Sequence, residues 1–210
     1  MYEKKTFYFG ENKIEYGVDV PKDYQEGKAY PVLLYLHGYG LVNATFDDML
    51  LSTPVQRARI PSEHPFILIA PHCPYTSWLL HTETLCAFCE HIASQSFCDR
   101  KRFYVAGTSM GACSLWMLLL EKQNLFAGAV LCCGQGPYWA SGFYQNIPLL
   151  VLHGERDDVI FSYESKLMTE KVNASGGNVT LRLYEDLGHD IWDRAFSDPQ
   201  TYAWLVQRKR

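Results

Sequence analysis

Ser109 stands between two glycines, Gly107 and Gly111, in the stretch YVAGTSMG from residue 104 to 111. Apolar residues lead into it and a nearly all-apolar segment follows. Such a stretch has two readings. In one, the serine ends a strand and caps the next helix. In the other, it is a nucleophile in a turn so sharp that the positions two before and two after it must lack bulk. The second reading lifts the Ser109 hydroxyl clear of the sheet. The N–H of Met110, at the helix N-terminus, then faces the same point and can hold an oxyanion.

A serine needs a base, and the base needs an acid to orient it. The chain has seven histidines. His189, in EDLGHDIW, follows the last clear strand beside Gly188, and this position makes it the candidate base. His37 and His153 end other strands, His64 and His72 adjoin prolines, and His81 and His91 flank or sit on a helix. Surface or hydrogen-bonded structural roles are expected for most of these. In HGERDD, Asp157 and Asp158 both follow a strand and either could reach a histidine on the next loop. One of the two is expected to serve a turn or helix cap, and Asp158 is given that role. HGYG (37–40) lets the backbone turn so that an N–H faces the serine; Tyr39 is expected to supply it, with Gly38 as the alternative.

Other residue groups are weaker. Trp78, Tyr138, Trp139 and Trp192 crowd strand-end loops and are candidates for a pocket wall that stacks on an aromatic acyl or alcohol group, at least two of the loop aromatics being simple packing. Arg156 is the one obvious cation near these motifs, so a strongly anionic substrate is not favoured. Cys86, Cys89, His91 and Cys98 suggest a metal, but a structural zinc site wants two spaced pairs. Small apolar filler is the expected role of the cysteines, and no metal is expected.

The elements that must position these residues alternate. Apolar or alternating runs at 13–21, 30–38, 66–71, 102–107, 127–134, 148–154 and 179–186 predict strands. Helical spacing or composition predicts helices over 82–97, 109–122, 161–175 and 199–208. This order argues an α/β fold, a three-layer sandwich around a mostly parallel, doubly wound sheet. Ligands of such sheets bind at the carboxyl ends of the strands, where Ser109, Asp157 and His189 fall.

The chain of 210 residues suits a single domain, residues 1–210. Its net charge of −4 invites neither nucleic acid nor an anionic membrane. The N-terminal residues carry charges and no apolar leader, and the seven cysteines are irregularly spaced, so reduced thiols and a cytoplasmic location are expected.

Taken together, the chain resembles an α/β-hydrolase over nearly its whole length. GTSMG, HGERDDVI and GHDIW follow that superfamily's order of nucleophile, acid and base. The resemblance, through H-G-x-x-D, selects Asp157 as the acid. LLYLHGYG, APHCP followed by Trp78, VAGTSMG and LGHDIW are similar to the small carboxylesterase, feruloyl-esterase and "predicted peptidase" branches, related to the dienelactone hydrolase and phospholipase/carboxylesterase groups. It implies a serine esterase without cofactors, acting on a small-molecule ester with a short-chain or aromatic acyl group. The alternatives are a serine peptidase of prolyl-oligopeptidase type and a non-catalytic small-molecule binder on the same fold. Residues 134–147, where relatives insert lids, leave room for a loop and not a helical cap, so no cap domain and an open, shallow site are expected.

Overall fold

The computed structural model describes residues 2–57, 66–74 and 76–210; His64 lies outside them. The strands are β1 (Glu3–Phe9), β2 (Asn12–Asp19), β3 (Tyr30–Leu36), β4 (Ile67–Pro71), β5 (Cys98–Thr108), β6 (Gly128–Cys132), β7 (Pro148–Gly154) and β8 (Asn178–Tyr184). The helices are α1 (Phe46–Ser52), α2 (Pro54–Arg57), α3 (Thr82–Ser94), α4 (Met110–Lys122), α5 (Ser162–Ala174), α6 (Trp192–Ser197) and α7 (Pro199–Val206). The sheet order is β1-β2-β4-β3-β5-β6-β7-β8. Strands β4 through β8 of that order pair in parallel, while β1 and β2 form an antiparallel edge.

The expected three layers are present. Because side chains alternate along a strand, each central strand feeds two cores. Val32, Leu34, Phe103 and Val105 pack under α3, α4 and α5, where Phe88, Leu118 and Met168 meet them. Leu33, Tyr35, Tyr104 and Ala106 pack under α2, α6 and α7, against Val55, Phe196 and Tyr202. Strand β3 is buried at every position, which explains its continuous apolar run. No helix among the described residues is long and apolar enough to cross a membrane.

Four elements had not been expected. Strand β1 is an edge strand with no fully buried residue, so EKKTFYF carries little burial signal. Helices α1, α2 and α6 have seven, four and six residues, too few turns for helical spacing to stand out. A capping signal marks α1: the Thr45 hydroxyl accepts the Asp48 N–H at 3.1 Å and donates to the Asp48 carboxylate at 2.7 Å.

The elbow glycines are explained by contact. A Cβ on Gly107 would lie 2.7 Å from the Gly111 carbonyl carbon, and one on Gly111 would lie 2.2 Å from the Leu36 oxygen. Helix α4 therefore sits directly on the end of β3, with no room for a methyl group. Gly111→Ala should destabilise the fold by about 3 kcal/mol, the upper end for overpacking. Gly40→Ala, where a Cβ meets nothing within 4 Å, should be near neutral. Denaturant titration of the two variants checks this, and equal midpoints would contradict it.

Candidate active site

Strand β5 delivers Ser109 into a left-handed backbone conformation, φ 51° and ψ −119°, which non-glycine residues rarely adopt. Two backbone bonds hold it there: Ser109 N–H donates to the Cys132 carbonyl at 2.8 Å, and Cys113 N–H donates to the Ser109 carbonyl at 2.9 Å. The Ser109 side chain makes no capping bond to α4. Its Oγ lies 2.9 Å from His189 Nε2. The helix-cap reading of this serine is thereby set aside.

The loops after β7 and β8 lock together. Arg156 N–H donates to the Leu187 carbonyl at 3.0 Å, and Glu155 N–H to the Tyr184 carbonyl at 2.9 Å. A Cβ on Gly154 would lie 2.0 Å from the Gly188 oxygen, so only glycine lets the loops meet. This contact fixes His189 over the end of β7. Its Nδ1–H donates to Asp157 Oδ2 at 2.7 Å, leaving Nε2 as the acceptor facing Ser109. Trp192 packs edge-on against the imidazole, ring centres 5.4 Å apart at 88°.

Asp157 is 4% exposed and receives four hydrogen bonds. Oδ1 takes the N–H groups of Val159 and Ile160, each at 2.9 Å. Oδ2 takes His189 and, at 3.0 Å, His153 Nε2. Burial alone would raise this carboxyl, but the His189 bond and the two N–H groups outweigh it and hold it below its ordinary value. The expected division of labour between the aspartates needs correction. Asp157 caps the turn and meets the histidine with different oxygens, while Asp158 is exposed.

Sequence reasoning left His153 among the structural histidines. It is fully buried and touches the acid directly. Its Nε2 is also 2.8 Å from the Ile160 carbonyl, and both neighbours are acceptors, so Nε2 carries a proton. Its Nδ1 is 2.6 Å from the Ser165 hydroxyl. The four-residue spacing to Asp157 in HGERD was the available signal. Cys133, His153 and Asp157 bring ligand-type atoms within 4.8 Å of one another, the one such group among the described residues. Asp157 Oδ2 already serves two imidazoles there, so the cluster reads as a hydrogen-bond network. Cys86, Cys89 and Cys98 are buried and do not converge with His91 on a common point.

The loop after β3 is held by histidines. His37 Nε2 accepts the Cys73 N–H at 3.0 Å, which puts the ring proton on Nδ1, and Nδ1–H donates to the Gly38 carbonyl at 2.8 Å. Leu41 N–H donates to the same carbonyl at 3.3 Å. A trans peptide directs its N–H opposite to its C=O, so tying the Gly38 oxygen also fixes the direction of Tyr39 N–H. Tyr39 and Met110 each open a helical turn, so neither N–H has an acceptor within its own helix. Gly38 passes close to the serine: a Cβ built on it would lie 3.4 Å from Ser109 Cβ. His72 Nε2–H donates to the Leu41 carbonyl at 3.1 Å.

Ser109 and His189 open on a cavity of about 500 Å³. Its lining reaches the sheet at Tyr35 and Thr108. Tyr39, Leu41, Pro54 and Trp192 contribute walls. Three expected wall residues lie elsewhere. Trp78 is fully buried, and its indole N–H donates to the His37 carbonyl at 3.3 Å. Tyr138 and Trp139 belong to a 3-10 segment, Tyr138–Tyr144, and are exposed outside the cavity lining.

Burial holds the His37 imidazole down at about 4, the Gly38 bond opposing and His72 adding to it. Its unfolded value is about 6.5. The unfolded chain therefore binds more protons between those values, and stability falls as pH drops through that window. The loss reaches about 3 kcal/mol once pH is below about 4. Denaturant titrations from pH 7 to pH 4 should show it, and His37→Asn should flatten the slope. An unchanged slope in that variant would assign the effect elsewhere.

The chain matches a crystal structure of a thermostable esterase at 26% identity and a TM-score of 0.88, over 100% of this chain and 63% of that one. A ferulic acid esterase matches at 17% identity and TM-score 0.77, over 99% and 98% of the two chains. Dipeptidyl peptidase 4 of Porphyromonas gingivalis matches at 14% and 0.79, over 99% of this chain and 35% of that one. These last two share the fold. The sequence model of the phospholipase/carboxylesterase family matches residues 80–205, from α3 to the end of α7 and through Ser109, Asp157 and His189. That match spans more than half of the chain, and the protein belongs to this family of α/β-hydrolases.

Proposed function

We propose that the protein is a serine hydrolase that cleaves carboxylic esters with short-chain or aromatic acyl groups. The observation that carries this reading is the unbroken chain Ser109 Oγ, His189, Asp157, with links of 2.9 and 2.7 Å, opening on the cavity. Family membership and the likeness to a thermostable esterase support it. The chain spans 63% of that esterase's length.

In this mechanism, Ser109 Oγ attacks the ester carbonyl while His189 Nε2 takes its proton. The N–H groups of Met110 and Tyr39 receive the developing oxyanion, each contributing about 3–4 kcal/mol to the transition state. His189 then protonates the leaving alcohol, and a water that it deprotonates releases the acid. Asp157 holds the imidazole tautomer and stabilises the imidazolium. No step uses a metal or organic cofactor. The cavity volume lies within the range of small-molecule sites. Trp192 and Tyr39 suit a planar or short acyl group on its walls.

Hydrolysis of p-nitrophenyl esters from acetate to octanoate, with methyl ferulate, tests this. Ser109→Ala should abolish turnover in a folded protein; retained turnover contradicts the assignment. Asp157→Asn should lower kcat by about 10⁴-fold, and Asp158→Asn should change it little. The reverse order would move the acid to Asp158.

His153 should act through Asp157 as a positioning residue. His153→Phe removes a donor from Oδ2, which leaves the carboxylate a stronger partner for the His189 imidazolium. The acid limb of the kcat/KM profile should shift to higher pH, and kcat should fall only as far as the less firmly held carboxylate misplaces His189. His153→Gln, which retains an N–H donor, should restore part of both. A folded Phe variant with an unmoved pH limb would reduce His153 to packing.

A further inference from the structure

Strand alternation places Tyr35 of β3 and Thr108, the last residue of β5, on the same face of the sheet, and their hydroxyls meet at 2.9 Å. Tyr35 is 1% exposed and Thr108 3%, and both line the cavity beside Ser109. Two hydroxyls carry two protons, and the bond between them uses one. Neither oxygen has another hydrogen-bond partner among the described residues. Either oxygen could donate at this distance; a phenol is the better donor and the poorer acceptor of the two, and with Tyr35 O–H donating, Thr108 keeps the free proton. Burial pushes the Tyr35 hydroxyl far above its ordinary range, so it stays protonated as this arrangement needs.

We infer that Thr108, oriented by Tyr35, donates a hydrogen bond to an oxygen of the substrate, so that the site selects esters bearing an ether, carbonyl or hydroxyl oxygen a few bonds from the scissile carbonyl. This rests on the reading of the cavity as an ester site. Leu41, Pro54, Val159 and Trp192, which line the same cavity, offer no side-chain acceptor; Ser52 and Asp190 do, but neither is hydrogen-bonded to Thr108 Oγ1. An all-carbon chain lying on this lining leaves a buried donor unpaired, whereas a chain oxygen pairs it. Thr108 precedes the nucleophile directly, so the recognised oxygen belongs close to the reacting centre and not at the tip of a long chain.

The test uses matched esters in which one CH₂ is replaced by oxygen at successive positions, first in the acyl chain (p-nitrophenyl butyrate against methoxyacetate, pentanoate against 3-methoxypropanoate), then in the alcohol of alkyl esters. Each kcat/KM ratio is divided by the ratio of hydroxide-catalysed rates, which removes intrinsic reactivity. At one position the oxygen ester should be favoured by about tenfold or more. Thr108→Val should bring that ratio to about one, Thr108→Ser should keep it, and Tyr35→Phe should weaken it. If Thr108→Val fails to fold, Thr108→Ala carries the same comparison. Ester turnover with no oxygen preference at any position, or a preference intact in the Thr108 variants, overturns the inference and leaves the esterase reading standing; the Thr108 proton then serves a resident water. No turnover of any ester, together with no phosphonate labelling of Ser109, overturns the esterase reading and the inference with it.

Discussion

The site is organised around one buried charge. A carboxylate that is 4% exposed costs several kcal/mol unless its lone pairs are filled, and Asp157 fills all of them. Each donor fixes a different piece of the molecule. The Val159 and Ile160 N–H groups shape the turn after β7. His153 ties the turn to the body of the strand and, through Ser165, to α5. His189 ties it to the loop after β8 and, through that loop, to Ser109. The demand of one anion for donors thus holds His189, strand and turn in register.

A second constraint is the absence of side chains. Gly111 lets α4 rest on the Leu36 carbonyl, and Gly154 lets two loops touch at Gly188. The first contact sets Ser109 against the loop after β3, and the second sets His189 against Asp157. Both positions of closest approach flank Ser109 and His189, and neither tolerates a methyl group without backbone movement. On the far side, His37 and His72 hold the Gly38 and Leu41 carbonyls, so the loop past Ser109 is fixed by two imidazoles, and burial keeps that of His37 neutral under ordinary conditions.

Much of this was legible in the sequence, for definable reasons. Strands β3, β4, β6 and β7, and β5 from Phe103 onward, are buried on both faces and read as apolar runs; β1 is an exposed edge and does not. Ser109, Asp157 and His189 each follow a strand, and a parallel sheet gathers such positions at one edge. The pocket was read less well. Trp78, an aromatic in a loop, fills the core beneath His37 instead of a wall. Tyr35 and Thr108 lie inside strands and look like core residues, and Pro54 belongs to a four-residue helix. Which loop aromatic turns inward depends on packing between distant segments, and local spacing holds no record of it.

The central claim is that His189, held by Asp157, makes Ser109 a nucleophile. Intact-mass and peptide mass spectrometry after brief exposure to a fluorophosphonate measures this directly, because such a reagent labels an activated serine and passes over an ordinary hydroxyl. The account predicts one adduct, on Ser109, formed rapidly by the native protein and at a rate lower by orders of magnitude in His189→Ala. No adduct on the folded native protein, or an adduct formed equally fast without His189, would contradict it.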